Sequence, residues 1–129
     1  MTNATTTAAG PRDRDLTGQT VVLIGGSAGI GLETARLART YGADVILAAR
    51  DPAKLKQAAD DVGARDTAAF DATDWAGLDA FFNALPAPVN HILVTAGGSY
   101  YAPLAEIDLD RADKDLQSHL WLTLRIARH

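Results

Sequence analysis

Short apolar runs alternate with helical runs from Thr17 to the end of this 129-residue chain. The first run, Thr20–Ile24 (TVVLI), is β-branched and apolar, which is typical of a strand buried on both faces of a parallel sheet. Strict alternation of strands and helices predicts an α/β fold, a parallel sheet with helices on both faces. The predicted strands are Thr20–Ile24, Asp44–Ala49 (DVILAA), residues 67–70 and residues 91–95 (HILVT).

Four helices are predicted between and after these strands. Asp51 is the expected N-cap of the second helix, since Pro52 fits the first helical position. The predicted helices are residues 30–41, Pro52–Val62, residues 74–85 and residues 108–129. On the first helix, one face is expected to hold Ile30, Thr34, Leu37, Ala38 and Tyr41. The last helix is expected to bury Leu109, Ala112, Leu116, Leu120, Thr123 and Ala127.

A glycine-rich turn, Gly25-Gly26-Ser27-Ala28-Gly29-Ile30-Gly31, joins the first strand to the first helix. Glycines in this position allow a tight turn and let a pyrophosphate approach the backbone. The helix that follows offers free N–H groups and the positive end of its dipole to phosphates. A Walker P-loop is excluded because no Gly-Lys-Ser/Thr follows. The turn therefore predicts dinucleotide binding, with a ligand-free glycine turn as the alternative.

The spacing of Gly25, Gly29 and Gly31 resembles the Thr-Gly-x-x-x-Gly-x-Gly loop of the short-chain dehydrogenase/reductase family. Two further landmarks agree with it: Asp71 after the third strand, and Ala96-Gly97 where the family has Asn-Asn-Ala-Gly. The resemblance covers about residues 17–129 and implies a partial, doubly wound Rossmann sheet of strand order 3-2-1-4. It implies cofactor contacts from Gly25, Ser27, Gly29, Ile30, Gly31, Arg50, Asp71, Ala72, Ala96 and Gly97.

The resemblance also bears on which nicotinamide cofactor is used. An acidic residue at the end of the second strand would bind the ribose of NAD, whereas an arginine there accommodates the 2′-phosphate of NADP. This chain has Ala49-Arg50 at that place, and Asp51 is assigned to helix capping. We therefore expect NADP(H) to be preferred over NAD(H), with a solvated surface arginine as the alternative for Arg50.

The catalytic residues that the resemblance implies are not found in this sequence. Family members use Tyr-x-x-x-Lys and a preceding Ser, and none of the tyrosines here has a Lys at that spacing. His119 stands where the family has a catalytic Asn, so it is either a polar substitute or a helix histidine without a catalytic task. Tyr100 and Tyr101 are expected either to line a substrate pocket or to cover the end of the sheet.

Charge and composition limit the remaining partners. A net charge of -4 argues against nucleic acid, since that role needs a basic face. No apolar stretch is long enough to span a membrane, and His91, His119 and His129 lack metal-ligand spacing. Residues 1–15 are expected to be a disordered leader and the protein cytoplasmic. Residues 16–129 are then an NAD(P)-binding Rossmann domain, truncated before the family's fifth strand.

An incomplete sheet predicts exposed apolar surface. The fourth strand would be a bare edge, which is a template for pairing with another chain. Apolar residues of the last helix would stay partly uncovered, namely Leu116, Leu120, Trp121, Leu124 and Ile126. We therefore expect a homo-oligomer. The function expected is carbonyl or alcohol hydride transfer in a full-length parent acting on a small substrate. The alternatives are a non-catalytic NADP-binding sensor or interaction module and, less favoured, a nucleotide-fold methyltransferase.

Overall fold

The computed structural model describes residues 15–129 and contains one parallel sheet. Its strands are β1 (Thr20–Ile24), β2 (Asp44–Ala49), β3 (Asp66–Ala69) and β4 (His91–Val94). Their order is β3-β2-β1-β4, and each neighbouring pair is parallel. The predicted α/β fold and the strand order 3-2-1-4 are therefore confirmed. The leader predicted over residues 1–15 lies, except for Asp15, outside the described residues.

Helices connect the strands and follow the last one. They are α1 (Gly29–Thr40), α2 (Pro52–Val62), α3 (Trp75–Ala84), α4 (Leu109–Leu116) and α5 (Leu122–Ile126), and a π-helical turn, Gln117–Trp121, joins the last two. A short 3₁₀ turn, Leu104–Glu106, precedes α4. Asp51 caps α2 as predicted, with its carboxylate accepting hydrogen bonds from the backbone N–H groups of Ala53 and Lys54. The left-handed Gly63 ends that helix.

The sheet separates two hydrophobic cores, because successive side chains of a strand point to opposite faces. Val21 and Leu23 of β1 pack on the side of α1 and α2. Val22 and Ile24 pack on the side of α3 and α5. All four side chains are buried, so burial of the first strand on both faces is confirmed. The two cores together hold the carboxyl ends of β1 and β2 rigidly in place.

The predicted inner face of the first helix is wrong. Ile30 and Leu37 are 77% and 52% exposed, and of the five predicted residues only Ala38 is buried. The buried face of α1 consists instead of Gly31, Ala35 and Ala38. Small residues allow the helix axis to approach the sheet closely, so size rather than hydrophobicity selects this face.

The predicted inner face of the last helix is also wrong. Leu109, Leu116 and Leu120 are exposed, whereas Leu122 and Ile126 are buried in the core beside α3. The π-helical turn bonds residue i to i+5 and uses more residues per turn than an α-helix. A count of 3.6 residues carried through residues 117–121 therefore misassigns the face that follows. The predicted exposure of Leu116, Leu120, Trp121 and Leu124 is confirmed, and that of Ile126 is wrong.

Candidate functional site

A cleft of about 680 Å³ opens at the carboxyl ends of the strands. In open α/β sheets, ligands bind in this crevice, at the point where the strand order reverses. Here that point lies between β1 and β4. Nine of the ten predicted cofactor-binding residues line the cleft, namely Gly25, Ser27, Gly29, Ile30, Arg50, Asp71, Ala72, Ala96 and Gly97. The volume lies within the range of about 300–1,000 Å³ that is usual for ligand pockets.

The turn after β1 leaves no room for a side chain at Gly25. Its φ is +99°, and a Cβ there would lie 2.6 Å from the backbone nitrogen of Ala96. The N–H groups of Gly25 and Gly26 both donate to the carbonyl of Ala48, at 2.8 and 3.2 Å. These two bonds tie the turn to the end of β2, so its backbone is held close to the floor of the cleft.

Gly31, the tenth predicted residue, does not line the cleft but packs beneath it. A Cβ at Gly31 would overlap the carbonyl oxygen of Gly25 and lie 2.7 Å from Oγ1 of Thr95. The absence of a side chain lets the first turn of α1 press against the glycine turn. Gly31 therefore shapes the site from below.

The N-terminus of α1 faces the cleft without a side-chain cap. Its N-cap residue is Ala28, whose side chain cannot accept a hydrogen bond, and no other side chain caps this end. Gly29 and Ile30, the first two residues of the helix, line the cleft. The first N–H groups of a helix have no intrahelical partner, and together with the helix dipole they favour an anion. This end of α1 therefore fits a phosphate group.

Thr95 is a site residue that the sequence analysis did not include. Its hydroxyl donates a 3.1 Å hydrogen bond to the carbonyl of Gly25, and its own N–H donates to the carbonyl of Ile24. Thr95 lines the cleft and joins the end of β4 to the glycine turn. Its position directly after the last apolar residue of β4 was a signal that could have identified it.

Arg50 and Asp51 follow β2 and differ in their partners. The Asp51 carboxylate accepts hydrogen bonds from two backbone N–H groups of its own helix, α2. Arg50 is the charged residue of this pair that lines the cleft. Arg50 is exposed, and within residues 15–129 its guanidinium has no hydrogen bond or ion pair. This side of the cleft therefore presents a free positive charge next to the end of the sheet.

Asp71 lines the same side of the cleft as Arg50, since it follows β3, the strand that pairs with β2. Its Oδ1 accepts hydrogen bonds from the backbone N–H of Thr73 at 2.9 Å and from the Thr73 hydroxyl at 2.7 Å. These two bonds, with a smaller contribution from Arg50, lower the pKa of Asp71 below its usual value of 3.8. The carboxylate is thus ionised near neutral pH, and its second oxygen is available as an acceptor for a ligand.

The π-helical turn closes the other end of the cleft. Ser118 and Leu122 line it, and neither was predicted as a site residue. The ring of His119 lies against Gly97, with Cε1 and Nε2 each 3.6 Å from the position of a Cβ on that glycine. Because a strand end and a remote helix meet only in three dimensions, no local sequence signal marked Ser118 or Leu122.

Tyr100 and Tyr101 do not line the cleft. The Tyr100 hydroxyl accepts a 2.9 Å hydrogen bond from the backbone N–H of Asp108, and the Arg111 guanidinium lies 4.4 Å from the centre of its ring. Tyr101 is 87% exposed. Tyr100 therefore ties the loop after β4 to the start of α4, and neither of the two predicted roles is tested by these contacts.

The three histidines lie at separate places. His91 contacts Gln19 at 2.6 Å near the start of β4, and His129 contacts Asp79 at 3.1 Å on α3. In the described part of the chain, no three His, Cys, Asp or Glu side chains come together as a metal would need. The helices of residues 15–129 also include none with the length and apolar character for crossing a bilayer.

Comparison with protein families identifies one match. The family model described as short chain dehydrogenase matches residues 19–124. A probable oxidoreductase of Streptomyces lividans is 35% identical over 88 residues, which are 64% of this chain and 30% of that protein. A WW domain-containing oxidoreductase of Homo sapiens is 49% identical over 45 residues, or 35% of this chain and 11% of that protein. The chain thus spans less than a third of the length of these relatives.

Solved structures share the fold over most of this chain. One, an L-sorbose reductase from Gluconobacter frateurii complexed with NADPH and L-sorbose, has a TM-score of 0.82 and 25% identity. The similarity covers 90% of this chain and 47% of that one. Another, a short chain dehydrogenase/reductase family protein, has a TM-score of 0.79 and 30% identity over 85% of this chain and 47% of its own. The chain corresponds to about half of each structure.

Proposed function

Since this chain belongs to the short chain dehydrogenase family, we propose that it forms the dinucleotide-binding part of an oxidoreductase that prefers NADP(H) to NAD(H). The bound cofactor would supply hydride exchange with a small carbonyl or alcohol substrate. The observation that carries this proposal is the uncapped N-terminus of α1 above a glycine turn that excludes side chains. A dinucleotide needs such a close backbone approach for its pyrophosphate.

Each part of the cleft has a proposed role. The backbone from Gly25 to Gly31, with Ser27 and Ile30, would hold the pyrophosphate and the adjoining ribose. Asp71 and Ala72 would contact the adenine, with the ionised carboxylate of Asp71 accepting a hydrogen bond. Ala96 and Gly97 would lie beneath the nicotinamide half, because β4 stands on the opposite side of β1 from β2 and β3.

The preference for NADP(H) is proposed from Arg50. Its guanidinium lines the cleft without a hydrogen-bonding partner in residues 15–129, and Asp51, the only acid beside it in sequence, is occupied as a helix cap. A 2′-phosphate would give Arg50 a charge-assisted contact of about 1.5–3 kcal/mol, or roughly tenfold to a hundredfold in affinity. The NADPH in the related L-sorbose reductase supports this cofactor class.

The test is a fluorescence titration with NADPH and NADH of the wild type, Arg50→Ala and Arg65→Ala. Arg65 is a matched control because it lies at the opposite end of the sheet, paired with Asp44 at 3.1 Å. We expect the wild type and Arg65→Ala to bind NADPH at least tenfold more tightly than NADH. Arg50→Ala should lose most of that difference. Equal affinities of the wild type for both cofactors would contradict the preference.

A second candidate is a non-catalytic NADP-binding sensor or interaction module. The cleft would serve it equally well, since binding a dinucleotide needs no catalytic residue. Consumption of NADPH with a carbonyl substrate would favour the oxidoreductase, since a sensor binds NADPH without consuming it. We keep hydride transfer as the first proposal because the family supports it.

We also propose that the protein is a homo-oligomer and that it is cytoplasmic. The strand β4 is an edge of the sheet, and Leu116, Leu120, Trp121 and Leu124 are each about half exposed. An apolar strand edge and exposed apolar side chains on a helix favour association. Light scattering tests the proposal, and a monodisperse monomer at micromolar concentration would contradict it.

A further inference from the structure

The ring of His119 is held in one orientation by its own helix. Nδ1 lies 2.9 Å from the backbone carbonyl oxygen of Asp115 and 3.4 Å from the carboxylate Oδ1 of the same residue. A carbonyl oxygen can only accept, and the Ser118 hydroxyl, 3.2 Å from Nδ1, itself donates to that carbonyl, so these contacts favour a proton on Nδ1. In the neutral ring, Nε2 is therefore the unprotonated nitrogen. Protonation of His119 at Nε2 turns this edge of the ring from an acceptor into a cationic donor.

That edge lies beside the cleft, although His119 is not among the described residues that line it. Nε2 and Cε1 are the ring atoms nearest to Gly97, each 3.6 Å from the position of a Cβ on that glycine. The side chain of His119 is 48% exposed, and nothing in residues 15–129 bonds to Nε2. Gly97 and the neighbouring Ser118 both line the cleft. A ligand that extends over Gly97 would thus come close to Nε2 of His119.

The strand order decides which end of a dinucleotide lies there. Arg50 and Asp71 follow β2 and β3, on one side of β1, whereas Gly97 follows β4 on the other side. A dinucleotide with its adenosine half against Arg50 and Asp71, and its pyrophosphate at α1, extends its nicotinamide toward Gly97. This placement rests on the proposed function.

We propose that His119 makes the preference for reduced over oxidised cofactor depend on pH. The oxidised nicotinamide ring carries a positive charge and the reduced ring is neutral, so a protonated His119 repels only the oxidised form. Histidine changes its charge between pH 5 and 8. Acidification should therefore weaken the binding of NADP⁺ relative to NADPH.

The charged groups around His119 agree with this sign. On its own helix, the Asp115 carboxylate contacts Nδ1, on the far side of the ring from Gly97. Gly97, the residue after β4 that packs against the ring, and its neighbour Gly98 carry no charge. No other ion pair engages His119 within the part of the chain that the structure describes. The Nε2 edge of the imidazolium would therefore lie nearer to Gly97 than the carboxylate of Asp115 does.

The first test measures the dissociation constants of NADP⁺ and NADPH at pH 6 and pH 8 and low ionic strength. In the wild type, the ratio of NADP⁺ to NADPH constants should rise roughly threefold to tenfold on acidification, as two unit charges in a half-exposed site would give. The 2′-phosphate also titrates near pH 6, but it is common to both forms and cancels in the ratio. High salt should reduce the change.

Three variants assign the effect to the ring. His119→Asn, which keeps a polar group without a titrating charge, should show a flat ratio. His119→Arg should hold a high ratio at both pH values. His91→Asn, whose ring lies against Gln19 near the start of β4, should behave as the wild type does. A flat ratio in the wild type, or an unchanged rise in His119→Asn, overturns the proposal.

A second measurement does not require a cofactor. Nitrogen-15 NMR of the cofactor-free protein at pH 8 should find the neutral His119 ring protonated at Nδ1. A ring protonated at Nε2 would overturn the assigned contact of Nδ1 with the Asp115 carbonyl. The outcomes of the binding test are also distinct. If neither cofactor binds at either pH, the proposed function fails together with this inference. If both bind with a ratio independent of pH, only the role of His119 is refuted.

Discussion

The hydroxyl of Thr95 donates a hydrogen bond of 3.1 Å to the carbonyl oxygen of Gly25, which lies 70 residues earlier in the chain. The same hydroxyl oxygen is 2.6 Å from the position that a Cβ on Gly25 would occupy. The end of β4 thus both supports the glycine turn and excludes any side chain from it. The shape of the proposed pyrophosphate site depends on this contact between neighbouring strands.

Removing that hydroxyl should loosen the turn. We expect Thr95→Val to lower the free energy of unfolding by about 0.5–1.5 kcal/mol, the usual value of a hydrogen bond, and to weaken NADPH binding severalfold. Thr95→Ser keeps the donor and should retain most of the affinity. Urea unfolding and fluorescence titration measure both quantities. Equal NADPH affinity in Thr95→Val and the wild type would mean that the bond does not support the site.

Adding one methyl group at Gly31 should disturb the site from below. The new Cβ would overlap the Gly25 carbonyl oxygen, so Gly31→Ala should cost about 1–3 kcal/mol, as overpacking does, and should abolish NADPH binding. Gly98→Ala is the control for stability, because a Cβ there meets no atom within 4 Å. A fully stable Gly31→Ala that binds NADPH normally would contradict the packing described for α1.

Replacing Asp51 separates capping from cofactor recognition. Since its carboxylate bonds to the N–H groups of Ala53 and Lys54, Asp51→Ala should destabilise the protein by about 0.5–2 kcal/mol. Asp51→Asn should recover much of that loss. The ratio of NADPH to NADH affinities should stay within about twofold of the wild type. A selective loss of NADH binding would instead assign Asp51 to the ribose.

Asp71 should contribute to acid unfolding. Its pKa is lowered in the folded protein by the two bonds from Thr73, so its carboxylate is more acidic folded than unfolded. A pKa that is lower in the folded protein stabilises it at pH values above the pKa of the unfolded state. That contribution is lost as the pH falls through the pKa of the folded state. Stability should therefore decline below about pH 4, and less steeply in Thr73→Val. Unfolding by urea between pH 2.5 and 6 measures this, and identical slopes would refute it.

Two leucines of the last helical segment test its orientation. Leu122 is 1% exposed in the core beside α3, whereas Leu120 is 48% exposed. Leu122→Ala should cost about 2–5 kcal/mol, and Leu120→Ala should change stability by about 0.5 kcal/mol or less. Thermal and urea unfolding of the two variants compare them directly. Greater destabilisation by Leu120→Ala than by Leu122→Ala would instead support the buried face that the helical period predicted.

Local signals in the sequence predicted most of the fold. The bounds of β1, β2 and α2 agree with the structure to the residue, because each has a strong local cause. The two strands are continuous apolar runs, and α2 begins at an Asp-Pro cap and ends at Gly63. The glycine turn after β1 likewise lines the cleft, through Gly25, Ser27, Gly29 and Ile30. These features depend on neighbours within a few residues, which a sequence displays.

The errors came from features that depend on packing. Hydrophobic periodicity assigned Ile30 and Leu37 to the core, whereas close approach of α1 to the sheet selected Gly31 and Ala35. The π-helical turn altered the period before Leu122. The contacts of Thr95 with Gly25 and of His119 with Gly97 join segments that are distant in the chain. No pattern of nearby residues predicts contacts between segments so far apart in the sequence.

The placement of β4 beside β1 has a consequence for the order of assembly. The strands β1 and β2 with their helices can pair through short connections, and this pairing ties the glycine turn to Ala48. The contact of the turn with Thr95 forms only when β4 pairs with β1. Closing that long connection is the slow kind of step in α/β folding. A ligand that binds only the finished turn stabilises the completed sheet by mass action. The affinity for dinucleotide would then serve as a reporter of whether the last strand has docked.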